Sequence, residues 1–227
     1  CEIIRQWSTF HPEFAYLPRK FKIAVNSHTK DDRAATLLHD IGIKIVHNEA
    51  GELGFQVYVG GGLGRTPIIA SLVEEFLPEK DLLTYLDAVL RVYNLNGRRD
   101  NKYKARIKIL VKALGVEAFR DLVHKEWAPL KDGPGTITQE ELARIKQHFT
   151  DPSYQNLEES KTLKGQLNEN KAFSNWYQRN VSQHKVSGYA IATLTLKKLG
   201  TPPGDITDKQ LDIAADLADK YSFGEIR

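Results

Sequence analysis

The stretch Tyr16-Leu17-Pro18-Arg19-Lys20-Phe21-Lys22-Ile23-Ala24-Val25 places three cations at the start of a run of β-branched and aromatic residues. The run from Phe21 to Val25 predicts a strand. Residues two apart in a strand share a face, so Lys20 and Lys22 are predicted to point the same way. Two ammonium groups on a partly buried face are costly unless an anion lies between them. A solvated edge strand blunted by lysines is the alternative, and it is a common arrangement.

The composition of the whole chain limits where an anion could bind. The chain has 227 residues, with 32 Lys and Arg against 29 Asp and Glu, so its formal net charge is only +3. A general nucleic-acid binder is usually more basic, and any anion chemistry must therefore come from a local cluster. No run approaches 18 apolar residues, so no membrane-spanning helix is predicted. Cys1 is the only cysteine, which excludes a disulfide scaffold, a cysteine zinc site and a self-contained iron–sulfur ligand set.

The two ends of the sequence suggest a piece of a longer protein. The chain contains no methionine, and it opens directly on an amphipathic segment over residues 2–10 with no signal peptide. It stops at Gly224-Glu225-Ile226-Arg227, where a strand would be expected to begin. We expect an internal fragment, and the alternative is a whole small protein that lacks methionine.

Apolar periodicity and turn residues predict a series of short elements. Helical spacing predicts helices over residues 2–10, 31–40, 82–95, 100–114, 116–127 and 206–221, with a further short helix from a capping box at Thr138 to about residue 149. β-Branched and aromatic runs predict strands over residues 21–25, 43–46, 55–59 and 188–199. The middle two strands are predicted to form a hairpin.

This pattern predicts an α+β fold in two parts. Residues 1–127 form the first domain, and residues 128–171 form a Pro/Gly-containing linker with a short helix. Residues 172–227 form the second part, in which a strand and a helix begin a βαβ unit.

A second cluster of positive charge lies at the predicted helix over residues 100–114. Arg98, Lys102 and Arg106 are spaced at i, i+4 and i+8, which would place them along one helix face. Such a row of like charges weakens an isolated helix, and a polycarboxylate or phosphate lying along it would remove that cost. A solvated helix face with acidic neighbours elsewhere is the alternative.

A glycine run follows the second strand of the predicted hairpin, at Gly60-Gly61-Gly62-Leu63-Gly64. Glycines permit positive φ angles and a close backbone approach to a flat or anionic ligand. The run has neither the dinucleotide-binding spacing nor the end of a phosphate-binding Walker loop, so a flexible hairpin is the simpler interpretation. The scattered histidines give no metal-binding pair, and no nucleophile motif is present.

Three motifs in this order resemble one family. They are Tyr16 to Lys22, Val59 to Leu63, and Gly97-Arg98-Arg99-Asp100-Asn101-Lys102. Together they resemble the sirohaem-dependent sulfite and nitrite reductases, specifically the hemoprotein (beta) component. The stretch from Gly188 onward, with Pro203-Gly204-Asp205, resembles the second ferredoxin-like half-domain of that family. The resemblance covers essentially the whole chain, and it implies a mixed-sheet sirohaem-binding domain followed by part of a ferredoxin-like half-domain.

The resemblance also implies roles for individual residues. Lys20 and Lys22 would be catalytic, because in the family they face the substrate side of the sirohaem, bind the oxyanion and help to deliver protons. The residues that would pair with the sirohaem carboxylates are Arg19, Arg98, Arg99, Lys102 and Arg106. Gly60, Gly61 and Gly62 would lie near the macrocycle, where side chains would clash.

The implied activity is the six-electron reduction of sulfite to sulfide in sulfur assimilation, at sirohaem coupled to a [4Fe–4S] cluster. The family holds that cluster with four cysteines, which this chain lacks, so the fragment alone is expected to be inactive and to hold no metal or tightly bound cofactor. The implied substrate is sulfite or nitrite, and the implied electron donor is a flavoprotein or a ferredoxin. The implied location is the cytoplasm, and neither a nucleic acid nor a membrane is an expected partner. A nitrite reductase of the same family and a non-catalytic anion-binding α+β module are the alternatives.

Overall fold

The structure, a computed structural model, describes residues 1–28, 30–158 and 160–226. They fall into two units, one from Cys1 to Phe149 and the other from Thr150 onward. The elements of the first unit are α1 (Glu2–Ser8), β1 (Ile23–Asn26), β2 (Ile41–His47), β3 (Leu53–Val59), β4 (Ser71–Pro78), α2 (Leu82–Asn96), α3 (Ile107–Leu114), α4 (Val116–Trp127) and α5 (Gln139–Lys146). Those of the second are α6 (Lys161–Glu169), α7 (Lys171–Asn180), β5 (Val181–Gln183), β6 (Ala190–Ala192) and α8 (Asp208–Tyr221). The predicted α+β class is confirmed.

A four-stranded mixed sheet, in the order β1-β2-β3-β4, is the centre of the first unit. β1 and β2 are parallel and pair Ile23 with Ile41, whereas β2–β3 and β3–β4 are antiparallel. The predicted hairpin and the predicted mixed sheet are both confirmed. The first strand begins at Ile23 rather than at Phe21, so Lys20 and Lys22 lie just before the strand.

The sequence does not predict β4, although this strand pairs with β3. Its buried residues Val73 and Leu77 share one face, but Glu75, which lies between them on that face, is charged and exposed. The alternation is lost because the pairing of β3 with β4 contains register shifts between Phe55 and Tyr58. A bulged strand of this kind carries a weak sequence signal.

Helix α2 shares one hydrophobic core with the sheet. Its side chains Tyr85, Leu86, Val89 and Tyr93 are fully buried, and so are Ile41, Ile43, Val57 and Val59 of the sheet. Helix α4 packs against both α2 and β4. The predicted helices over residues 82–95 and 116–127 are confirmed, because long apolar helices with clear ends depend little on distant contacts.

The segment predicted as a helix over residues 31–40 is instead a loop with one 3-10 turn at Thr36–Leu38. Ala35 has a φ of 50°, in the left-handed region, which interrupts a right-handed helix. The Asp32 carboxylate accepts hydrogen bonds from both the amide and the hydroxyl of Thr36. The short polar side chain therefore satisfies backbone groups that a helix would otherwise use.

The second unit contains an antiparallel pair of short strands, β5 and β6. The long strand predicted over residues 188–199 is limited to Ala190–Ala192, since β5 offers a partner only three residues long. The predicted linker over residues 128–171 contains its predicted short helix, which is α5, and also helix α6. Helix α8 agrees with its prediction and begins with a capping box formed by Thr207 and Gln210.

The first unit extends beyond the boundary predicted at Trp127. Ile137 is buried and donates its N–H to the Lys80 carbonyl at 2.9 Å, and Leu142 packs against the same core. Two assignments stay predictions. One makes functional domains of residues 1–127 and 172–227, and the other gives the second of these domains a ferredoxin-like fold. Among the helices of the described residues, none has the length and apolar character needed to cross a bilayer.

Two buried tyrosines on α2 provide a matched test of this core. The Tyr93 hydroxyl donates to the buried Ala105 carbonyl at 2.7 Å, whereas the Tyr85 hydroxyl has no hydrogen-bond partner among the described residues. Tyr93→Phe should lower the free energy of unfolding by about 1–3 kcal/mol, because it leaves a buried carbonyl unpaired. Tyr85→Phe should be close to neutral. Urea unfolding of both variants checks this, and equal losses would contradict the assignment.

Tyr85 and Tyr93 also predict how the free energy of unfolding changes at alkaline pH. Burial, together with the negative charge of Asp40, raises the pKa of Tyr93 to about 12 from an ordinary value of 10.0. The unfolded chain therefore releases this proton before the folded chain does, and the stabilisation is lost as the pH rises from about 10 to about 12. Burial also raises the pKa of Tyr85. Each Tyr→Phe variant should lose less stability across this range than the parent chain, as measured by urea unfolding at several pH values.

Candidate anion-binding site

The basic loop, residues 16–22, is anchored through its backbone. Arg99 Nη1 donates to the Tyr16 carbonyl at 2.9 Å, and the Lys22 N–H donates to Asp40 Oδ2 at 2.9 Å. The Lys22 carbonyl accepts from the Ile41 N–H at 3.1 Å, which continues the pairing of β1 with β2 by one residue. The loop therefore runs directly into the sheet.

Three side chains of the basic loop, those of Arg19, Lys20 and Lys22, are exposed. Across residues 1–28, 30–158 and 160–226 none of the three has a side-chain hydrogen bond or an ion pair. Cations so close in sequence repel one another unless an anion lies between them. The structure thus places these predicted site residues together on one anchored loop and leaves their charges available to a ligand.

The second group of predicted residues lies on the basic segment, residues 97–106, which is not the helix that the sequence predicts. Residues 102–104 form only one 3-10 turn, and helix α3 begins at Ile107 with Arg106 as its extended N-cap residue. The predicted row along one helix face is therefore wrong, because the backbone between its members is not continuous helix. The cations of that row are Arg98, Lys102 and Arg106.

Three cations of the basic segment, Arg98, Arg99 and Lys102, are exposed and have local partners. Arg98 Nε donates to Asp100 at 3.0 Å, and Lys102 Nζ lies 5.3 Å from the centroid of the Tyr103 ring. Exposed pairs of this kind contribute about 0–1 kcal/mol. Arg98 and Lys102 could therefore turn to a carboxylate ligand at little cost, whereas Arg99 is held by the Tyr16 carbonyl and by Asn94.

Arg106 has a different environment, because it binds Asp40 through both arms of its guanidinium. Nε donates to Oδ1 at 2.9 Å, a second nitrogen binds Oδ2, and the Asp40 side chain is completely buried. Asp40 Oδ2 also accepts the Lys22 N–H, and the Asp40 carbonyl accepts the Gly60 N–H at 2.9 Å. Asp40 therefore connects the basic loop, the sheet, the glycine run and the start of α3. The role of Arg106 toward a cofactor stays a prediction, and a ligand there would have to share it with Asp40.

The basic loop and the basic segment lie against each other. The Tyr93 hydroxyl, which donates to Ala105, also lies 3.3 Å from the Arg19 carbonyl. A Cβ at Gly97 would lie 2.7 Å from Pro18 Cγ and 2.6 Å from the Tyr93 carbonyl oxygen. Glycine is needed at this position because the two segments approach more closely than a side chain allows.

Gly60, Gly61 and Gly62 of the glycine run are buried, and their lack of side chains is explained by packing within the unit. A Cβ at Gly61 would lie 2.4 Å from the Leu37 carbonyl oxygen, and one at Gly62 would lie 3.1 Å from Lys108 Cδ. Gly60 has a φ of 91°, which residues with a side chain rarely adopt. The predicted position of these glycines near a macrocycle is not needed to account for them, and it stays a prediction.

The sequence analysis did not identify Lys108, which holds the loop after the glycine run. Its Nζ donates to the carbonyls of Leu63 at 2.8 Å and Thr66 at 2.7 Å, and the residue is buried. Burial lowers the pKa of Lys108, Arg106 lowers it further, and Asp40 acts in the opposite direction. The sequence signal that could have identified Lys108 as a buried residue is its position within the otherwise apolar run from Ile107 to Val111.

The residues of the basic loop and the basic segment fit an anionic ligand better than an iron–sulfur cluster. The partnerless cations of the basic loop suit an oxyanion or the carboxylates of a sirohaem. A [4Fe–4S] cluster requires four thiolates, whereas the chain has only Cys1, and the described residues contain no group of three or more potential metal ligands. Cluster chemistry is therefore not assigned to these residues.

A sequence profile of the family described as "Nitrite and sulphite reductase 4Fe-4S domain" matches residues 1–130. The match covers more than half of the chain and includes the basic loop, the glycine run and the basic segment. The chain belongs to this family, which confirms the resemblance carried by the three motifs.

Curated relatives include sulfite reductases named for different electron donors. "Sulfite reductase [ferredoxin] 1" of Mycolicibacterium paratuberculosis is 38% identical over 136 residues, which are 59% of this chain and 24% of the relative. "Sulfite reductase [NADPH] hemoprotein beta-component" of Chromohalobacter salexigens is 38% identical over 116 residues, 48% of this chain and 20% of the relative. The chain thus matches about a quarter or less of the length of each.

A solved structure supports the same fold. The structure of the Mycobacterium tuberculosis NirA protein is similar with a TM-score of 0.50 and 33% sequence identity. The similarity covers 56% of this chain and 23% of that protein.

Two Arg–Asp pairs in this site allow a controlled test of the buried one. Arg106→Ala should lower the free energy of unfolding by roughly 3–5 kcal/mol, because it leaves the Asp40 carboxylate buried without its partner. Arg98→Ala, which removes the exposed pair with Asp100, should cost at most about 1 kcal/mol.

The measurement is urea unfolding followed by tryptophan fluorescence. A Trp176→Phe background restricts the signal to Trp7 and Trp127, which both lie in the first unit. Equal losses in the two arginine variants would show that the buried pair does not hold the unit together.

Proposed function

We propose that this chain is part of a sulfite reductase hemoprotein that reduces sulfite to sulfide with six electrons, at sirohaem coupled to a [4Fe–4S] cluster. The observation that carries the proposal is the anchored basic loop, on which Arg19, Lys20 and Lys22 are exposed and partnerless among the described residues. Unpaired cations on an anchored loop favour a small oxyanion as ligand. Membership in the family and the printed names of the relatives support sulfite as that oxyanion.

Lys20 and Lys22 hold the substrate oxyanion and supply protons in this proposal. Each oxygen that leaves sulfite departs as water and needs two protons, which an ammonium group can donate and then recover from solvent because both side chains are exposed. Their positive charge also stabilises the negative charge that develops on the departing oxygens. Sirohaem, when bound, would supply the redox-active iron.

The carboxylates of that cofactor would be bound by cations with no strong partner in the chain. Arg19 is the best placed, because it is exposed on the anchored loop without a side-chain partner in the described part of the chain. Arg98 and Lys102 follow, since their present contacts are exposed, whereas Arg99 would have to give up its bonds to the Tyr16 carbonyl and Asn94. Arg106 contributes mainly by fixing the basic loop through Asp40, and the assignment of Gly60, Gly61 and Gly62 to the macrocycle is the least supported.

The electron donor in this proposal is a ferredoxin or an NADPH-linked flavoprotein, since the relatives are named for ferredoxin or NADPH. Reduction of nitrite to ammonia is the second candidate, because the family description names both substrates and two lysines suit either oxyanion. A cytoplasmic location stays a prediction.

The chain alone should be inactive and hold no cluster, because one thiol cannot supply the four thiolates that a [4Fe–4S] cluster needs. Analysis of iron and acid-labile sulfide after anaerobic reconstitution of the purified chain tests this. Iron and sulfide in stoichiometric amounts would contradict the expectation.

The roles of the two lysines can be separated from cofactor binding in the whole reductase polypeptide of which we propose this chain to be a part. Lys20→Ala or Lys22→Ala should lower turnover per bound sirohaem by roughly 10²–10³-fold, because each removes a charge at the reacting oxyanion. Lys102→Ala should instead lower sirohaem occupancy and leave turnover per bound sirohaem nearly unchanged.

The measurement is turnover normalised to sirohaem absorbance, with sulfite and nitrite compared. Lys112→Ala, an exposed lysine on α3 outside the basic loop and segment, is the control and should match the parent. Loss of cofactor with normal turnover in the Lys20 and Lys22 variants would show that the assigned roles are wrong.

A further inference from the structure

A groove of about 620 Å³ lies in the second unit, between the end of α7 and the segment that follows β6. Asn180 fixes this arrangement, because its side-chain oxygen accepts from Thr195 Oγ1 at 3.0 Å and its carbonyl accepts from the Thr193 N–H at 2.7 Å. The residues that line the groove are Trp176, Arg179, Asn180, Leu194, Thr195, Lys197 and Lys198.

The charge of this groove is positive and locally uncompensated. Residues 170–204 contain no aspartate or glutamate. Arg179, Lys197 and Lys198 are exposed, and none of them forms an ion pair within the described ranges. Three cations that converge on one groove without an acid nearby attract an anion.

An aromatic surface lies beside these cations. Trp176 is 43% exposed, although tryptophan is usually largely buried. The ring of Phe173 supports it in a stacked arrangement, with centroids 6.0 Å apart and planes 16° apart. A supported indole at the edge of a groove offers a flat apolar surface on which another planar ring can stack.

We propose that this groove binds a nucleoside diphosphate, with the phosphates on Arg179, Lys197 and Lys198 and the base stacked on Trp176. Two phosphate groups carry about as much negative charge as the three cations can balance. The volume lies in the range of small-molecule sites, which favours a single nucleotide over a long polyanion. The groove lies outside residues 1–130, which match the family profile, and none of its lining residues belongs to the proposed reductase site.

Isothermal titration calorimetry of the full chain with ADP, inorganic pyrophosphate and adenosine tests the proposal. ADP should bind, pyrophosphate should bind more weakly, and adenosine should give no measurable heat. Trp176→Ala should weaken ADP binding roughly tenfold and leave pyrophosphate binding unchanged, because it removes only the stacking surface. Trp176→Phe should retain most of the affinity and shows that the fold of the groove is intact.

Substitutions of the groove's cations test where the phosphate groups of ADP bind. Lys197→Ala and Arg179→Ala should each weaken both ADP and pyrophosphate about tenfold, whereas Lys209→Ala, an exposed lysine of α8, should have no effect. The proposal is overturned by an absence of ADP binding at millimolar concentration or by equal losses in the Lys197 and Lys209 variants. It is also overturned if Lys20→Ala abolishes ADP binding while Lys197→Ala does not, or if a single-stranded oligonucleotide binds far more tightly than ADP.

Discussion

The bidentate pair between Arg106 and the completely buried Asp40 is the interaction on which the first unit depends most. A carboxylate removed from water is unfavourable unless its oxygens are paired, and here they bind a guanidinium and the Lys22 amide. Because the Asp40 backbone also accepts from Gly60, this residue fixes the distance between the basic loop and the glycine run. The site geometry therefore depends on a contact inside the protein.

This arrangement divides the positive charges of the unit into two groups. Arg106 and Lys108 are used internally, the first on a carboxylate and the second on the carbonyls of the loop after the glycine run. Lys20 and Lys22 are exposed and partnerless in the described chain, on a loop held by its backbone. Their backbone is fixed and their ammonium groups are unpaired among the described residues, so no protein contact there has to be broken before they bind an oxyanion, which is the property that the proposed function requires.

Much of the fold and part of the site could be predicted from the sequence. Helix α2 and the β2–β3 hairpin have strong local signals, and the three motifs, the first of them around Lys20 and Lys22, together identified the family. Strand β4 was missed because its bulged pairing removes the alternation of apolar residues. The helical row of cations was wrong because an N-cap at Arg106 is set by Asp40, which lies 66 positions away in the chain.

Contacts of that kind leave no local pattern in a single sequence. Asp40 gives no signal that it is buried, since an aspartate before a strand is usually an exposed turn residue. Lys108 stands out within the apolar run from Ile107 to Val111, but nothing in that run shows which loop closes over it. The cofactor-binding role of Arg106 was implied by the family resemblance and stays a prediction, and nothing in the sequence indicates that this arginine pairs with Asp40 within the chain.

Amide hydrogen exchange tests the central claim, that one buried pair organises the site, most directly. The Lys22 and Gly60 amides donate to Asp40, and the Ile41 amide donates to the Lys22 carbonyl. In the parent chain these three amides should therefore open together with similar free energies. Arg106→Ala should reduce the protection of all three by the same factor, while the amides of helix α2 remain more protected. If Ile41 and Gly60 kept their protection in that variant, or if the three amides exchanged independently in the parent, the claim would be contradicted.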